Sequence, residues 1–179
     1  IKKVIISVTN DLANDQRVKK VCDTLTKNNF NITLVGRQLQ HSLNIKRPYS
    51  TVRFKLIFNK GALFYMEYNI RLFFFLLYRR FDIYHSNDLD TLLPMWLSAF
   101  IFNKKLVYDS HEYFLGVPEI QNRYFVKKVW SSIESFIFPK LKYVFTVNKS
   151  ISDLYFKNYK VRPLVVRNLP NKSSLIKVK

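Results

Sequence analysis

Short, apolar, β-branched runs alternate with segments of helical periodicity along this chain, and the alternation restricts it to an α/β fold. Residues 3–9 (KVIISVT) are mostly apolar, as in a central parallel strand that is buried on both faces. Residues 31–35 (NITLV) form the next strand, and between the two strands helical spacing is seen at Val18, Val21, Cys22 and Leu25. A strand, a helix and a strand in this order require a right-handed crossover and a parallel sheet.

The same order continues to the carboxyl end of the chain. Further strands are predicted over residues 51–58, 82–86, 104–109, 143–147 and 164–167, and helices over residues 62–81, 91–102, 123–138 and 150–159. We therefore predict one α/β domain over residues 1–170, with a mostly parallel, twisted sheet and helices on both faces. Residues 171–179 (NKSSLIKVK) are predicted to be a tail or the start of an interdomain linker.

Cysteine usage indicates a reducing compartment. The single Cys22 excludes an internal disulfide and a cysteine metal cluster, and no signal-peptide pattern precedes the first strand. We therefore expect a cytoplasmic location. Residues 62–81 contain the apolar run LFFFLL, but charged residues interrupt or flank it, and a membrane span requires about 20 apolar residues. We expect a helix packed on the sheet instead, with an aromatic and arginine edge that touches a membrane surface.

The chain is strongly basic. Its 30 Lys and Arg residues against 12 Asp and Glu residues give a formal net charge of +18. A charge of this sign fits a polyanionic neighbour, which is nucleic acid, an anionic membrane face or a phosphorylated substrate. A solvated, lysine-rich surface without a partner is the alternative.

The glycine positions exclude two kinds of nucleotide-binding motif, and the His and Cys residues form no zinc motif. The chain has only Gly36, Gly61 and Gly116, so the first strand-to-helix loop holds neither a G-x-G-x-x-G fingerprint nor a P-loop. Three scattered histidines and one cysteine make no zinc pattern, and no helix-turn-helix signature or zinc knuckle is present. We therefore expect no cofactor and no metal, and nucleic-acid binding is disfavoured.

Polar residues cluster where the predicted strands end. The central cluster lies in KKLVYDSHEYFLGVP, where an apolar run ends in Asp109, Ser110, His111 and Glu112. Further clusters lie at residues 10–17 and 85–90 and at Asn148 with Ser150. In an open α/β sheet, ligands bind outside the carboxyl ends of the strands, so we expect all four clusters to face one crevice. The candidate site residues are Asn10, Asp11, Asp15, Arg17, His85, Asn87, Asp88, Asp109, Ser110, His111, Glu112 and Asn148.

Two kinds of role are open for these residues. Helix N-termini near Asn14, Thr91 and Lys149 suit a phosphate or a sugar hydroxyl, and Arg17 is placed to make a bidentate phosphate contact. His111 is the candidate working imidazole, and the alternative is that it only bridges its loop. Helix capping is the alternative role for Asn10, Asp11, Asn14, Asp88 and Asp90.

Five segments, in order and spacing, resemble the amino-terminal domain of family 4 (group 1) glycosyltransferases of the GT-B fold. They are SVTNDLANDQRVKKVCDTL, YHSNDLDTLLPMWL, KLVYDSHEYFLGVPEI, YVFTVNKSISDLY and VVRNLPN, and the resemblance covers residues 5–171. It implies a Rossmann-like domain that binds the acceptor and closes on a carboxyl-terminal twin, which holds the nucleotide sugar. His111 matches the family histidine that contacts the donor sugar in the closed site.

The chain also departs from the family pattern. HSND at residues 85–88 is similar to the family's H-x-H-D stretch, with Asn87 in place of the second histidine. The loop at residues 9–17 lacks the family's glycines, so Arg17 or the helix end is expected to replace backbone contacts to phosphate. The Glu-x7-Glu pair of the donor-binding half is absent. The resemblance therefore implies half an enzyme, inactive by itself.

The function implied is that of the acceptor-binding half of a retaining glycosyltransferase. It transfers a sugar from a nucleotide-diphosphate sugar, the donor substrate, to a polysaccharide or glycolipid acceptor in cell-envelope biosynthesis. Asp109 or Glu112 is expected to fix the tautomer of His111. The implied partners are the missing donor-binding domain, a glycan or lipid-linked acceptor and an anionic membrane surface. The rival is a non-enzymatic basic α/β module that binds nucleic acid or another polyanion, and a weaker rival is a nucleotide-sugar epimerase.

Overall fold

The computed structural model describes residues 1–169, so the predicted tail or linker at 171–179 lies outside the described residues. Seven strands are found within the described range: β1 Lys3–Asp11, β2 Asn31–Gln38, β3 Ser50–Lys55, β4 Ile83–Asn87, β5 Lys105–Ser110, β6 Tyr143–Thr146 and β7 Leu164–Val165. The same range contains the helices α1 Gln16–Lys27, α2 Gly61–Tyr78, α3 Leu92–Ile101, α4 Pro118–Gln121, α5 Tyr124–Ile137 and α6 Lys149–Tyr159.

All seven strands join one sheet, and every pair in it is parallel. The strand order is β3-β2-β1-β4-β5-β6-β7, so the chain moves outward from β1 in one direction and then returns to add strands on the other side. This confirms the predicted Rossmann-like, doubly wound fold. The strand order reverses between β1 and β4, and a crevice at the carboxyl ends of these two strands is where such folds bind ligands.

The alternation of side chains along β1 explains why both faces of the sheet carry helices. Val4 and Ile6 pack on one face with Val18 and Cys22 of α1. Ile5 points to the other face and belongs to a core shared with α2 and α3. A parallel strand covered on both sides must be apolar throughout, which is the pattern seen at residues 3–9.

Two predicted strands are shorter than expected. The third strand was predicted over residues 51–58 but ends at Lys55, because Glu67 of α2 accepts hydrogen bonds from the backbone N–H groups of Ile57 and Phe58 at 3.0 and 2.9 Å. Those groups are then not free to extend the ladder. The last strand spans only Leu164–Val165 instead of residues 164–167.

Helix α2 is apolar on two sides. Its inner row, Phe64, Tyr68, Leu72 and Leu76, is buried in the core. Its outer side exposes a second row, which we call the α2 stripe: Leu63, Met66, Ile70, Phe74 and Tyr78. Within residues 1–169, no helix is both long enough and apolar enough to span a bilayer.

Candidate functional site

Three of the four predicted polar clusters meet in one cleft at the carboxyl edge of β1, β4 and β5. The cleft has a volume of about 190 Å³. It is lined by Val8, Thr9, Asn10, Asp15, Tyr65, Asn87, Asp88, Asp90, His111, Glu112 and Phe114. The meeting of β1 with β4, and of β4 with β5, brings together residues that are far apart in the sequence.

His111 lies between two carboxylates at this cleft. Its Nδ1 is 3.2 Å from Oδ2 of Asp88, and its Nε2 is 3.3 Å from Oδ2 of Asp109. The backbone N–H of His111 also donates to Oδ1 of Asp88, at 2.7 Å. Of the two residues predicted to hold this imidazole, Asp109 lies against it. Asp88 is a second partner.

The two carboxylates keep the imidazole protonated. Burial alone would lower the pKa of His111, but the contacts with Asp109 and Asp88 and their negative charges outweigh burial and raise the pKa to about 9. Burial likewise pushes the pKa of Asp109 upward, yet His111 and the charge of Arg17 hold it below its ordinary value. At neutral pH the site therefore holds an imidazolium between two carboxylates.

Arg17 supports this arrangement from α1. One of its guanidinium nitrogens lies 2.8 Å from Oδ1 of Asp109, and the side chains of both residues are largely buried. Asp109 thus receives positive charge from two sides, Arg17 and His111. Arg17 therefore helps to position Asp109, the partner of the imidazole, and its bidentate contact with a phosphate stays a prediction.

His85 lies behind the same group and is buried. Desolvation lowers its pKa to about 4, so the ring is neutral at physiological pH. Its Nε2 finds no hydrogen-bond partner within the described part of the chain. His85 does not line the cleft, so the structure places it beneath the site rather than at its surface.

Asp88 adopts a strained backbone conformation. Its φ of 58° and ψ of 172° lie near a region that only glycine enters freely. The backbone N–H of Asp88 donates to the carbonyl of Asp109 at 3.0 Å, while its carboxylate holds His111. Strain of this kind costs of the order of 1–3 kcal/mol and persists where surrounding contacts impose it, which occurs most often at functional sites.

The rest of the cleft wall is rich in hydrogen-bond acceptors. Thr9 donates to Oδ2 of Asp90 through a short hydrogen bond, and burial raises the pKa of Asp90 to about 7. Asn87 donates through Nδ2 to the carbonyl of Ser7 at 3.1 Å, and its Oδ1 has no partner among residues 1–169. Asp15 caps α1 by accepting from the N–H of Val18 at 3.0 Å.

Besides Arg17, His85 and Asp109, three more predicted site residues do not line the cleft. Asp11 accepts from the Ser42 hydroxyl and pairs with Arg53 at 3.3 Å. Ser110 is fully buried, and Asn148 is exposed and caps α6. The fourth predicted cluster, at Asn148, is therefore not part of the cleft. That these three residues bind substrate stays a prediction, one to which the cleft lends no support.

Sequence reasoning also missed part of the cleft wall. Thr9 ends an apolar run and Tyr65 lies in an aromatic helix, so neither carried a signal of its own. Asp90 lies in one of the predicted polar clusters, with helix capping as its alternative role, but is not among the candidate site residues; its side chain does not cap α3. Among residues 1–169, no group of three or more His, Cys, Asp and Glu side chains is arranged to hold a metal ion.

A comparison with protein-family models decides the family. The model of glycosyltransferase family 4 matches residues 16–171, which is most of the chain. The chain belongs to glycosyltransferase family 4. No curated protein matches it at a significant level, so the family assignment rests on the family model.

Solved structures share the fold of this family 4 chain at low identity. Sucrose-phosphate synthase from Thermosynechococcus elongatus matches with a TM-score of 0.69 and 12% identity, over 92% of this chain and 47% of its own. UGT2 of Phytolacca americana, solved with UDP-2fluoro-glucose and pterostilbene, matches with a TM-score of 0.61 and 11% identity, over 97% and 55%. A UDP-N-acetylglucosamine 2-epimerase matches with a TM-score of 0.53 and 14% identity, over 87% and 44%.

These matches describe the fold alone, because a transferase and an epimerase both appear among them. The chain spans about half the length of each of these three structures. It therefore corresponds to one Rossmann-like half of a GT-B fold, as predicted.

Proposed function

We propose that this family 4 chain is the acceptor-binding half of a retaining glycosyltransferase, which moves a sugar from a nucleotide-diphosphate sugar to a polysaccharide or glycolipid. The observation that carries the proposal is His111, held as an imidazolium by Asp88 and Asp109 beside a cleft at the carboxyl edge of the sheet. A missing carboxyl-terminal domain would supply the donor and close over this edge.

In the proposed reaction the protein controls charge. As the bond between the sugar and the diphosphate breaks, positive charge develops on the sugar ring and negative charge on the leaving phosphate. Nε2 of His111 is buried against Asp109, and Nδ1 lies 3.2 Å from Oδ2 of Asp88, which lines the cleft, so a sugar hydroxyl would approach the imidazolium from the side of Asp88. The two carboxylates fix the ring in place and balance its charge, so no reorganisation is needed during the reaction.

The proposal is tested by comparing the full-length protein with residues 1–179 alone. We expect the full-length protein to transfer sugar from a nucleotide-diphosphate sugar, with retention of anomeric configuration observed by NMR, and the isolated chain to transfer none. Transfer by residues 1–179 alone would contradict the half-enzyme proposal. Epimerised nucleotide sugar would favour an epimerase, and salt-sensitive gel shifts near micromolar without transfer would favour the nucleic-acid module.

The α2 stripe supports a second part of the proposal, which is peripheral binding to the cytoplasmic face of an anionic membrane. Exposed basic residues lie at both ends of this helix: Lys60 precedes it, and Arg79 and Arg80 follow it. Arg53 of β3 and Arg71 of α2 are instead paired with Asp11 and Glu67. An apolar row flanked by basic groups fits the interface of an anionic bilayer.

Reversing charge at the end of the α2 stripe is expected to weaken vesicle binding. Arg79→Glu with Arg80→Glu should lower the affinity for vesicles of mixed neutral and anionic lipid at least about tenfold, because each basic group near the surface contributes about 1 kcal/mol. Co-sedimentation at two salt concentrations measures this, and wild-type binding should fall as salt rises.

The matched control changes the same number of charges elsewhere, through Lys128→Glu on α5 with Lys157→Glu on α6, both at exposed positions. The control variant should bind nearly as well as the wild type. Equal pelleting with purely neutral vesicles, or equal losses in both variants, would rule out electrostatic docking by α2.

A further inference from the structure

The cleft is acidic although the chain is strongly basic. Of the chain's 12 acidic residues, four line this one cleft: Asp15, Asp88, Asp90 and Glu112. None of the 30 Lys and Arg residues appears among the described residues that line it. A chain with a formal net charge of +18 thus has a cleft wall that is rich in carboxylates, and the wall, rather than the net charge, decides which ligand the cleft accepts.

We infer that the acceptor sugar that enters this cleft is uncharged and is recognised through its hydroxyl groups, so that rings bearing carboxylate, sulfate or phosphate are rejected. The inference rests on the proposed function, since it names the acceptor class of the proposed transferase. It concerns only the ring inside the cleft, because anionic groups elsewhere on an acceptor would meet the basic surface.

The hydrogen-bonding capacity of the wall carries the first step of this inference. Carboxylates accept hydrogen bonds, and sugar hydroxyls donate them. Asn87 adds an independent observation, because this residue is 2% exposed, lines the cleft and has no partner for Oδ1 within residues 1–169. A buried amide oxygen without a donor is costly, and a ligand hydroxyl would satisfy it.

The second step concerns the positive charges of His111 and Arg17, which are already compensated by carboxylates. The imidazolium of His111 lies within 3.3 Å of two carboxylates, Asp88 and Asp109. Arg17 is engaged on Asp109 beneath the wall. An anionic ring would therefore meet the carboxylates of the wall, and none of the described residues that line the cleft is a Lys or Arg that could offset them. Even with the screening of water, unit charges about 4 Å apart repel by an amount worth about fivefold in an equilibrium constant, and a less polar cleft increases this.

The test uses two probes that differ only at one carbon, octyl glucoside and octyl glucuronide, with the full-length protein. Binding is measured by ligand-observed NMR, which requires no turnover, and we expect the glucoside to bind at least about tenfold more tightly. Equal or tighter binding of the glucuronide, or binding of neither probe, would overturn the inference. Sugar transfer is assayed separately, so loss of the proposed function remains distinguishable from loss of this selectivity.

Two sets of variants locate the effect. Asp15→Asn with Glu112→Gln removes two charges from the wall, and asparagine at position 15 still caps α1. In this variant the affinity for the glucoside should exceed the affinity for the glucuronide by only about threefold or less, mainly because the glucuronide binds better. The control, Asp23→Asn with Asp153→Asn, removes two carboxylates that do not line the cleft and should leave the ratio unchanged. Identical ratios in both variants would contradict the inference.

Discussion

Full-length enzyme carrying His111→Ala is expected to turn over at least about 10²-fold more slowly than the wild type, as when one positioned transition-state donor is lost. The imidazole is preorganised by two carboxylates, 3.2 and 3.3 Å away, so its removal deletes a donor and leaves Asp88 and Asp109 facing each other without a cation between them. Steady-state kinetics at saturating donor and acceptor measure this loss.

His41→Ala is the matched control for this prediction. His41 is exposed in the loop between β2 and β3 and does not line the cleft, so its removal should leave turnover within about twofold of the wild type. Near-normal turnover of His111→Ala would refute a role for the imidazole in the reaction. Equal losses in both variants would point to general damage rather than to the site.

Two substitutions of Asp88 distinguish the effect of its backbone strain from the effect of its carboxylate. Asp88→Gly and Asp88→Ala both remove the carboxylate, but only glycine relieves a φ of 58° combined with a ψ of 172°. We expect the glycine variant to be more stable than the alanine variant by about 1–3 kcal/mol in chemical denaturation. Both variants should lose turnover at least about tenfold, because the clamp on His111 is gone.

The stability of the same Asp88 variants should depend on pH, and the direction of this dependence tests the pairing of His111. The pKa of His111 is raised to about 9, so its pairing stabilises the fold fully below pH 6.5, the ordinary pKa, and the stabilisation is lost as pH rises through 9. Each Asp88 variant should therefore be destabilised more at pH 6 than at pH 10, and NMR titration should show the pKa of His111 lowered. An unchanged pKa of His111 would rule out the clamp.

Asp153 provides a control at which glycine, rather than alanine, should be the less stable substitution. It lies in the middle of α6, where the backbone is helical and glycine is intrinsically unfavourable. Asp153→Gly should therefore be less stable than Asp153→Ala by about 1 kcal/mol. If glycine also proved worse than alanine at position 88, the conformation of Asp88 would not be strained.

Local patterns were sufficient for most of the fold. The strand at residues 3–9 and the spacing of Val18 and Cys22 depend on neighbours a few residues apart, and the structure confirms both elements. Asp15 and Asn148 cap helices through residues three positions away, which is also a local relation. Strand ends were placed less well, because the end of β3 is decided by Glu67, a residue on the following helix.

The sequence by itself determined that polar residues gather at one edge of a parallel sheet, because every parallel strand delivers its end to the same side. Only the tertiary structure decided their partners. Asp88 holds His111 across 23 positions, and Arg17 reaches Asp109 across 92, through the registers of β4 with β5 and the packing of α1. The same polar side chains can cap a helix or pair with a distant residue. The sequence does not decide between these two roles, because the role depends on which strand lies next to the residue.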